Sequence, residues 1–206
     1  QSTEKTAQKE LIYELNHLAS EFYSYILLSH KVGETARKYL EKRKVSKASI
    51  KLFNLGYAPD SWDSLIQFMQ KKGYKLPDLA TAGLVTVSEK NHYFDRFRGR
   101  VMFTLYDHRG NAVGFAGRLL DPDAKEAKYV NTAETPVYIK GNILYGLNTT
   151  KEEIKKENSA VVVEGEIDAI QSYQAGVRNV VAIKGSALTE MQVNLLKRYS
   201  ENIILS

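Results

Sequence analysis

Two acidic residues, Glu164 and Asp168, follow a continuous apolar run near the carboxyl end of the sequence, with Gly165 directly after the first of them. The run, residues 160–163, is typical of a strand buried on both faces of a parallel sheet, and ligands collect at the carboxyl ends of such strands. The two carboxylates could therefore converge on one ion, and their oxygens suit a hard divalent cation. Acidic residues in the first turn of a helix are also favoured by the helix dipole, so the pattern alone favours a capping role over a metal role.

A second candidate segment follows the next apolar run. The run is residues 180–183, and Gly185, Ser186 and Ala187 follow it after Lys184, at the same predicted edge of the sheet. Small residues there let backbone N–H groups approach an anion. Gly185 is therefore a candidate nucleotide-binding residue.

The composition excludes several other kinds of chemistry. The 206 residues contain no cysteine, which excludes a disulfide framework, a thiolate nucleophile and a cysteine-ligated zinc site. The four histidines are scattered without metal-ligand spacing. Apolar runs reach only four or five residues, too short to span a bilayer, so we expect a cytoplasmic protein with no membrane partner.

The charge is unevenly distributed along the chain. The net charge is +5, and residues 151–206 carry seven basic against eight acidic residues. The basic excess therefore belongs to the first three quarters of the chain, where an anionic partner is expected to bind.

The elements that must position these residues can be read from periodicity. Apolar residues recur at helical spacing over residues 10–28, and short helices are predicted through residue 82. A strand, a turn at Gly110 and a second strand follow over residues 101–116. Beyond residue 158 strands alternate with helices as βαβαβ. We predict an α+β fold: a mixed helical and antiparallel-sheet subdomain over residues 1–150, then a parallel α/β subdomain over residues 158–206.

Several segments together resemble a known family. Residues 162–168, 175–177 and 185–189 look like the opening half of a Toprim domain as found in bacterial DNA primases of the DnaG type. Upstream blocks resemble the same family collinearly; they are residues 36–43, 56–59, 93–103, 114–118, 128–135 and 140–147. The Toprim motif is shared with topoisomerases and some nucleases, whereas the upstream blocks are typical of primases.

The resemblance implies a divalent-metal site. In the family, the glutamate matching Glu164 works with an Asp-x-Asp pair after the third strand to hold Mg²⁺ or Mn²⁺ for nucleotidyl transfer. The resemblance thus implies Glu164 as a catalytic residue and metal ligand, with Asp168 as a second ligand. The chain stops at Ser206, directly after the third predicted strand, so we expect the pair to lie outside it and the chain as given to be catalytically incomplete.

The resemblance also implies a nucleic-acid-facing surface. The implied DNA-binding residues are Arg37, Arg43, Arg96, Arg118, Lys128 and Lys140, and the implied nucleotide-binding residues are Lys128, Asn131 and Gly185. A single lysine is more often a solvated surface charge. Arg96, Arg98 and Arg100 alternate along a predicted strand and would share one face, where either nucleic-acid binding or structural ion pairing is open. Lys184 stands where the family more often has an apolar residue.

The implied function is that of a piece of a DNA primase, a DNA-directed RNA polymerase that makes short RNA primers on single-stranded DNA. Implied partners are the template, ribonucleoside triphosphates and an RNA/DNA hybrid, with the replicative helicase and single-strand-binding protein contacting regions outside this chain. The family's zinc-ribbon domain needs cysteines, so its zinc is not expected here. The alternatives are a non-catalytic single-strand-binding module and a piece of a Toprim nuclease or topoisomerase, which the upstream blocks disfavour.

Overall fold

The computed structural model describes residues 2–185 and 187–206. Ser186, part of the small-residue segment singled out above, lies outside the described residues. The helices are α1 (Ser2–Ser29), α2 (Glu34–Lys42), α3 (Lys47–Leu52), α4 (Ser64–Lys71), α5 (Leu76–Thr81), α6 (Leu147–Glu157), α7 (Glu166–Gln174) and α8 (Glu190–Leu196). The strands are β1 (Leu55–Ala58), β2 (Val85–Val87), β3 (Tyr93–Asp95), β4 (Arg100–Tyr106), β5 (Ala112–Leu119), β6 (Tyr129–Asn131), β7 (Ser159–Val163), β8 (Val180–Ala182) and β9 (Asn202–Leu205).

An antiparallel sheet forms the centre of the first part of the chain. Its strands lie in the order β1-β4-β5-β6, and β4 and β5 form the predicted hairpin, with Gly110 at φ +93° in the turn. Helix α1 packs directly on this sheet, because a Cβ at Gly56 of β1 would lie 2.5 Å from Cβ of Tyr23. The predicted combination of helices and antiparallel sheet is confirmed.

A parallel sheet follows. Strand β7 lies between β8 and β9, with Val163 opposite Ala182, and α7 and α8 supply the crossover connections. The predicted βαβαβ order is therefore confirmed. Helix α8 begins with a capping box between Thr189 and Gln192, which satisfies free backbone donors at its first turn.

The predicted strand through Arg96, Arg98 and Arg100 is wrong in part. Strand β3 ends at Asp95 and β4 begins at Arg100, so Arg96 and Arg98 lie in the connection between them. Both Arg98 and Arg100 pair with Glu126, which agrees with structural ion pairing. Gly99, at φ +60°, breaks the extended backbone that the alternation assumed.

One apolar core joins the two sheets. Phe103 of β4 and Tyr145 contact one another edge to face, and the same buried cluster includes Val163, Ile167 and Val180 of the parallel sheet and its helix. Tyr145 also exchanges two backbone hydrogen bonds with Ala182 of β8. The carboxyl edge of the parallel sheet is consequently held against the antiparallel sheet. Among the described residues, no helix has the length and apolarity to cross a membrane.

Candidate metal centre and basic surface

Glu164 and Asp168 lie on the turn that leads from β7 into α7. Gly165 is extended there, at φ −127° and ψ 158°, and both acidic side chains are exposed. Oδ2 of Asp168 lies 2.9 Å from the point that a Cβ on Gly165 would occupy, so this carboxylate folds back over the turn. Within the described part of the chain, neither carboxylate has a hydrogen-bond or ion-pair partner. The oxygens of both carboxylates are therefore available to a ligand from solvent.

The donor chemistry of this turn fits part of a divalent-metal site. Carboxylate oxygens are the ligands that Mg²⁺ and Mn²⁺ take in proteins, and Mg²⁺ demands octahedral coordination. Across residues 2–185 and 187–206, no group of three or more histidine, aspartate or glutamate side chains is placed to hold a metal. Glu164 and Asp168 would therefore supply some of the ligands, and the others must come from water, nucleotide or further protein groups.

Glu166, which lies between Glu164 and Asp168 in the sequence, is buried rather than exposed. The side chain of Glu166 is only 8% exposed and forms a buried ion pair with Lys184, whose side chain is 6% exposed. Lys184 is unusual in the sequence, because it directly follows an apolar run, but no local pattern identifies Glu166 as its partner. The sequence signal for the pair is a lysine after an apolar run, together with three acidic residues that follow β7.

Gly185 and Lys140 lie at the same edge of the parallel sheet. Gly185 follows Lys184 directly, with open space around its Cα. Lys140 is exposed, and its segment is held against the start of α8, because Oγ1 of Thr189 donates to the carbonyl of Gly141 at 2.6 Å. The structure thus brings the predicted residues Lys140 and Gly185 to the edge that carries Glu164. Their contacts with nucleic acid or nucleotide stay predictions.

Arg118 lies at the centre of a second cluster, on β5. Its guanidinium lies 4.7 Å from the ring centre of Tyr39 and 5.7 Å from that of Tyr129, and it donates a hydrogen bond to the Tyr39 hydroxyl. Nε of Arg118 is buried without a partner among the described residues. Lys128 borders the same cavity, whose volume is about 260 Å³. Arg118 and the exposed Lys128 thus bring two cationic side chains to the lining of one cavity, which favours an anionic ligand there.

Arg100 holds the segment that carries Lys128. Arg100 is almost fully buried, and its Nη1 donates to the carbonyls of Ala127 at 2.9 Å and Lys128 at 3.3 Å. Burial lowers the pKa of Arg100, and the carboxylate of Glu126 raises it again in part. The arginine thereby fixes the backbone on which Lys128 stands.

Three of the predicted DNA-binding arginines have different environments. Arg96 donates through Nε at 3.0 Å and Nη2 at 2.8 Å to the carbonyl of Asn131, and burial lowers its pKa. Arg37 donates to the carbonyls of Leu27 and His30, just where α1 ends. Arg43 is exposed and lies 5.7 Å from the Tyr39 ring centre. Arg96 and Arg37 thus have intramolecular partners, Arg43 faces solvent, and DNA binding by all three stays a prediction.

An exposed aromatic residue lies beside the connection between β3 and β4. Trp62 is 64% exposed, and the guanidinium of Arg98 lies 4.1 Å from its ring centre. Phe94 packs edge to face against the same indole. The exposed indole of Trp62 could stack on a nucleobase, and the sequence does not show this exposure.

A parallel sheet with acidic residues at its carboxyl edge, joined through one core to an antiparallel sheet that carries basic residues, defines a catalytic core with a Toprim-like part. Residues 22–151 match the family described as "DNA primase catalytic core, N-terminal domain", and residues 161–206 match the family described as "Toprim-like". The chain belongs to the DNA primase catalytic core family. The match over residues 22–151 disfavours a nuclease or topoisomerase.

Curated relatives agree with this assignment. The chain is 40% identical over 193 residues to the DNA primase of Geobacillus stearothermophilus, covering 94% of this chain and 32% of that protein. It is 41% identical over 196 residues to the DNA primase of Clostridium acetobutylicum, covering 95% of this chain and 32% of that protein. The chain thus spans about a third of the length of these relatives.

Solved structures show the same fold. The RNA polymerase domain of Mycobacterium tuberculosis primase DnaG superimposes with a TM-score of 0.87 at 34% identity, covering 94% of this chain and 65% of that one. A DnaG primase catalytic domain bound to single-stranded DNA gives a TM-score of 0.88 at 35% identity, covering 97% and 64%. The Escherichia coli primase catalytic core gives 0.84 at 36% identity, covering 94% and 61%.

Proposed function

We propose that this chain is part of the RNA-polymerase core of a bacterial-type DNA primase, which synthesises short RNA primers on single-stranded DNA. The observation that carries the proposal is the placement of Glu164 and Asp168, unpaired and exposed, on the Toprim-like turn of a chain collinear with DNA primases over almost its whole length. The proposed substrates are ribonucleoside triphosphates, and the product is an RNA/DNA hybrid. We propose residues 1–150 and 158–206 as its two subdomains and the cytoplasm as its compartment.

Glu164 and Asp168 are the proposed protein ligands of Mg²⁺ or Mn²⁺. When bound, the metal would neutralise charge that develops on the triphosphate and orient the attacking hydroxyl. Arg118 and Lys128 are proposed to bind phosphate groups, and Lys140, Asn131 and Gly185 are proposed to contact template or nucleotide. Because Glu164 and Asp168 supply only part of a ligand set, we propose that the 206 residues alone do not synthesise primers. Replicative helicase and single-strand-binding protein are proposed partners of the whole protein.

The metal assignment is tested in the full-length protein with Glu164→Gln. The amide keeps the size of the side chain and removes its charge, so primer synthesis from ribonucleoside triphosphates on single-stranded DNA is expected to fall by at least about a hundredfold. Single-strand binding, measured by fluorescence anisotropy, should be retained, because the substitution leaves every proposed DNA-binding residue in place. Primer synthesis at the wild-type rate in this variant would refute the assignment.

The basic surface is tested on the chain itself by the salt dependence of single-strand binding. Each phosphate contact contributes about 0.7 to the slope of log affinity against log salt concentration, so Lys128→Ala should lower that slope by this amount. Lys9→Ala, at an exposed position of α1, removes the same charge and should leave the slope unchanged. Equal slopes for all three proteins would exclude Lys128 from the interface.

A further inference from the structure

A buried ion pair connects the two strand ends at the candidate metal centre. Glu166 is the first residue of α7, between Glu164 and Asp168, and Lys184 lies two residues after the end of β8. The side chains meet in a direct hydrogen-bonded contact, and neither is more than 8% exposed. The neighbouring backbone ladder extends only to the N–H of Ile183, which donates to the carbonyl of Val163 at 3.0 Å. Beyond that bond, the Lys184–Glu166 pair links the two turns.

Two tyrosines of the adjoining core do not hydrogen-bond to the pair. The hydroxyls of Tyr138 and Tyr145 are buried and have no hydrogen-bond partner in the described part of the chain. Burial raises the pKa of both phenols, and the charge of Glu166 raises it further. Tyr138 and Tyr145 share a buried cluster with Ile167, the residue after Glu166, so Glu166 borders this core. Removing one member of a buried pair leaves an uncompensated charge, which is strongly unfavourable, whereas replacing both members is often tolerated.

We propose that Lys184 is a positioning residue for the metal-binding carboxylates. By holding Glu166 in the protein interior, it fixes the start of α7 and hence the turn from which Glu164 and Asp168 project into solvent. It also keeps a third carboxylate, which the sequence places within two positions of both ligands, away from the metal. The inference rests on the proposed function, because it assumes that Glu164 and Asp168 bind a divalent cation.

The experiment measures Mn²⁺ binding to the full-length protein by electron paramagnetic resonance of the free ion, together with the thermal unfolding midpoint. Lys184→Met keeps the length of the side chain and removes the charge. We expect Mn²⁺ to bind roughly tenfold more weakly, the lower end of the effect usual for groups that orient metal ligands, and the unfolding midpoint to fall. Lys155→Met, which removes a lysine from an exposed pair with Glu152, controls for net charge and should change neither quantity.

The double variant Glu166→Gln/Lys184→Met separates positioning from simple packing. Without a buried charge its unfolding midpoint should return to near the wild-type value, yet Mn²⁺ binding should remain about tenfold weaker, because the ionic link is absent. Lys184→Arg, which can keep the link, should restore binding at least partly. A double variant with both wild-type stability and wild-type Mn²⁺ affinity would show that the pair serves packing only and would overturn the proposal.

A further variant distinguishes failure of the inference from failure of the proposed function. Glu164→Gln is expected to weaken Mn²⁺ binding by itself. If it does not, the metal assignment fails and the positioning role fails with it. If Glu164→Gln weakens binding and the Lys184 variants do not, only the positioning role is overturned.

Discussion

Around the candidate metal centre, three acidic residues within five positions have two different environments. Glu164 and Asp168 are exposed, whereas Glu166 is buried against Lys184. Glu166 is buried because it begins α7 on the side that faces the core, where Tyr138 and Tyr145 also lie. At the residue scale, exposure therefore decides which carboxylates a cation from solvent can reach.

Gly165 controls the orientation of Asp168. The backbone of Gly165 is extended, which any residue adopts, but a Cβ there would lie 2.9 Å from Oδ2 of Asp168. We predict that Gly165→Ala displaces this carboxylate and weakens Mn²⁺ binding several-fold, while the free energy of unfolding changes by less than about 1 kcal/mol, since a flexible side chain can move. Calorimetric titration and urea unfolding would measure the two effects.

A double-mutant cycle tests the cause of that effect. If Gly165→Ala acts only through Asp168, adding it to Asp168→Asn should produce no further loss of Mn²⁺ affinity. Additive losses would mean that the alanine disturbs the turn itself, and would contradict the proposed mechanism.

At the scale of elements, α4 is capped from outside its own sequence. Asp63, the residue before the first turn of α4, makes no side-chain cap hydrogen bond. Instead the buried carboxylate of Asp95, at the end of β3, accepts from the N–H groups of Leu65 at 2.8 Å and Ile66 at 3.1 Å. The N–H of Asp95 in turn donates to the carbonyl of Trp62. One residue thereby joins α4 to the strand that precedes the arginine-rich connection.

We predict that Asp95→Ala destabilises the protein by about 3 kcal/mol. The substitution leaves two buried N–H groups of α4 without an acceptor, and each such group costs about 1–3 kcal/mol, with some relief from water entry. Asp63→Ala, at the formal start of the same helix, should cost less than about 1 kcal/mol. Urea unfolding followed by circular dichroism would measure both, and similar losses in the two variants would contradict the capping role of Asp95.

The elements differ in how well the sequence predicts them. The β4–β5 hairpin and the βαβαβ order carry local signals, namely alternation, a turn glycine and apolar runs, and both are confirmed. The Asp95 cap and the Lys184–Glu166 pair join residues 30 and 18 positions apart, and nothing local marks the partners. The arginine alternation of residues 96–100 was misleading because Gly99 bends the chain between them. Local periodicity thus predicts elements, whereas the contacts that position the site depend on tertiary packing.

At the scale of the whole molecule, the parallel sheet and the antiparallel sheet are joined by specific hydrogen bonds as well as by the shared core. The side chain of Gln174 on α7 accepts from the N–H of Ser46 at 2.8 Å and donates to the carbonyl of Lys44 at 2.9 Å. Gln171 donates to the carbonyl of Arg43 at 2.7 Å. These contacts hold α7, which follows the carboxylate-bearing turn, against the segment that carries the exposed Arg43.

Tyr138 lies at this junction, and its raised pKa predicts how the folding stability of the protein changes at alkaline pH. It is fully buried, its hydroxyl has no partner in the described part of the chain, and burial, followed by the charge of Glu166, raises its pKa to about 12. Because the folded-state pKa exceeds the value of about 10 for an unfolded tyrosine, the folded state keeps a proton that the unfolded state releases between these pH values. Stability should therefore fall as pH rises through this window, with Tyr138 contributing roughly 2 kcal/mol of the loss by about pH 12.

Tyr138→Phe removes that contribution. At neutral pH the variant should be as stable as the wild type or slightly more stable, because a buried hydroxyl without a partner costs free energy. Above about pH 10 its stability should fall less steeply than that of the wild type, although Tyr145, whose pKa is also raised by burial and by Glu166, keeps some of the slope. Urea unfolding at a series of pH values would measure the difference, with Tyr25→Phe, at an exposed position, as the control that should follow the wild type. Parallel curves of stability against pH for Tyr138→Phe and the wild type would mean that the folded state does not hold this phenol protonated. A loss of stability at neutral pH would mean that its hydroxyl has a partner in solution.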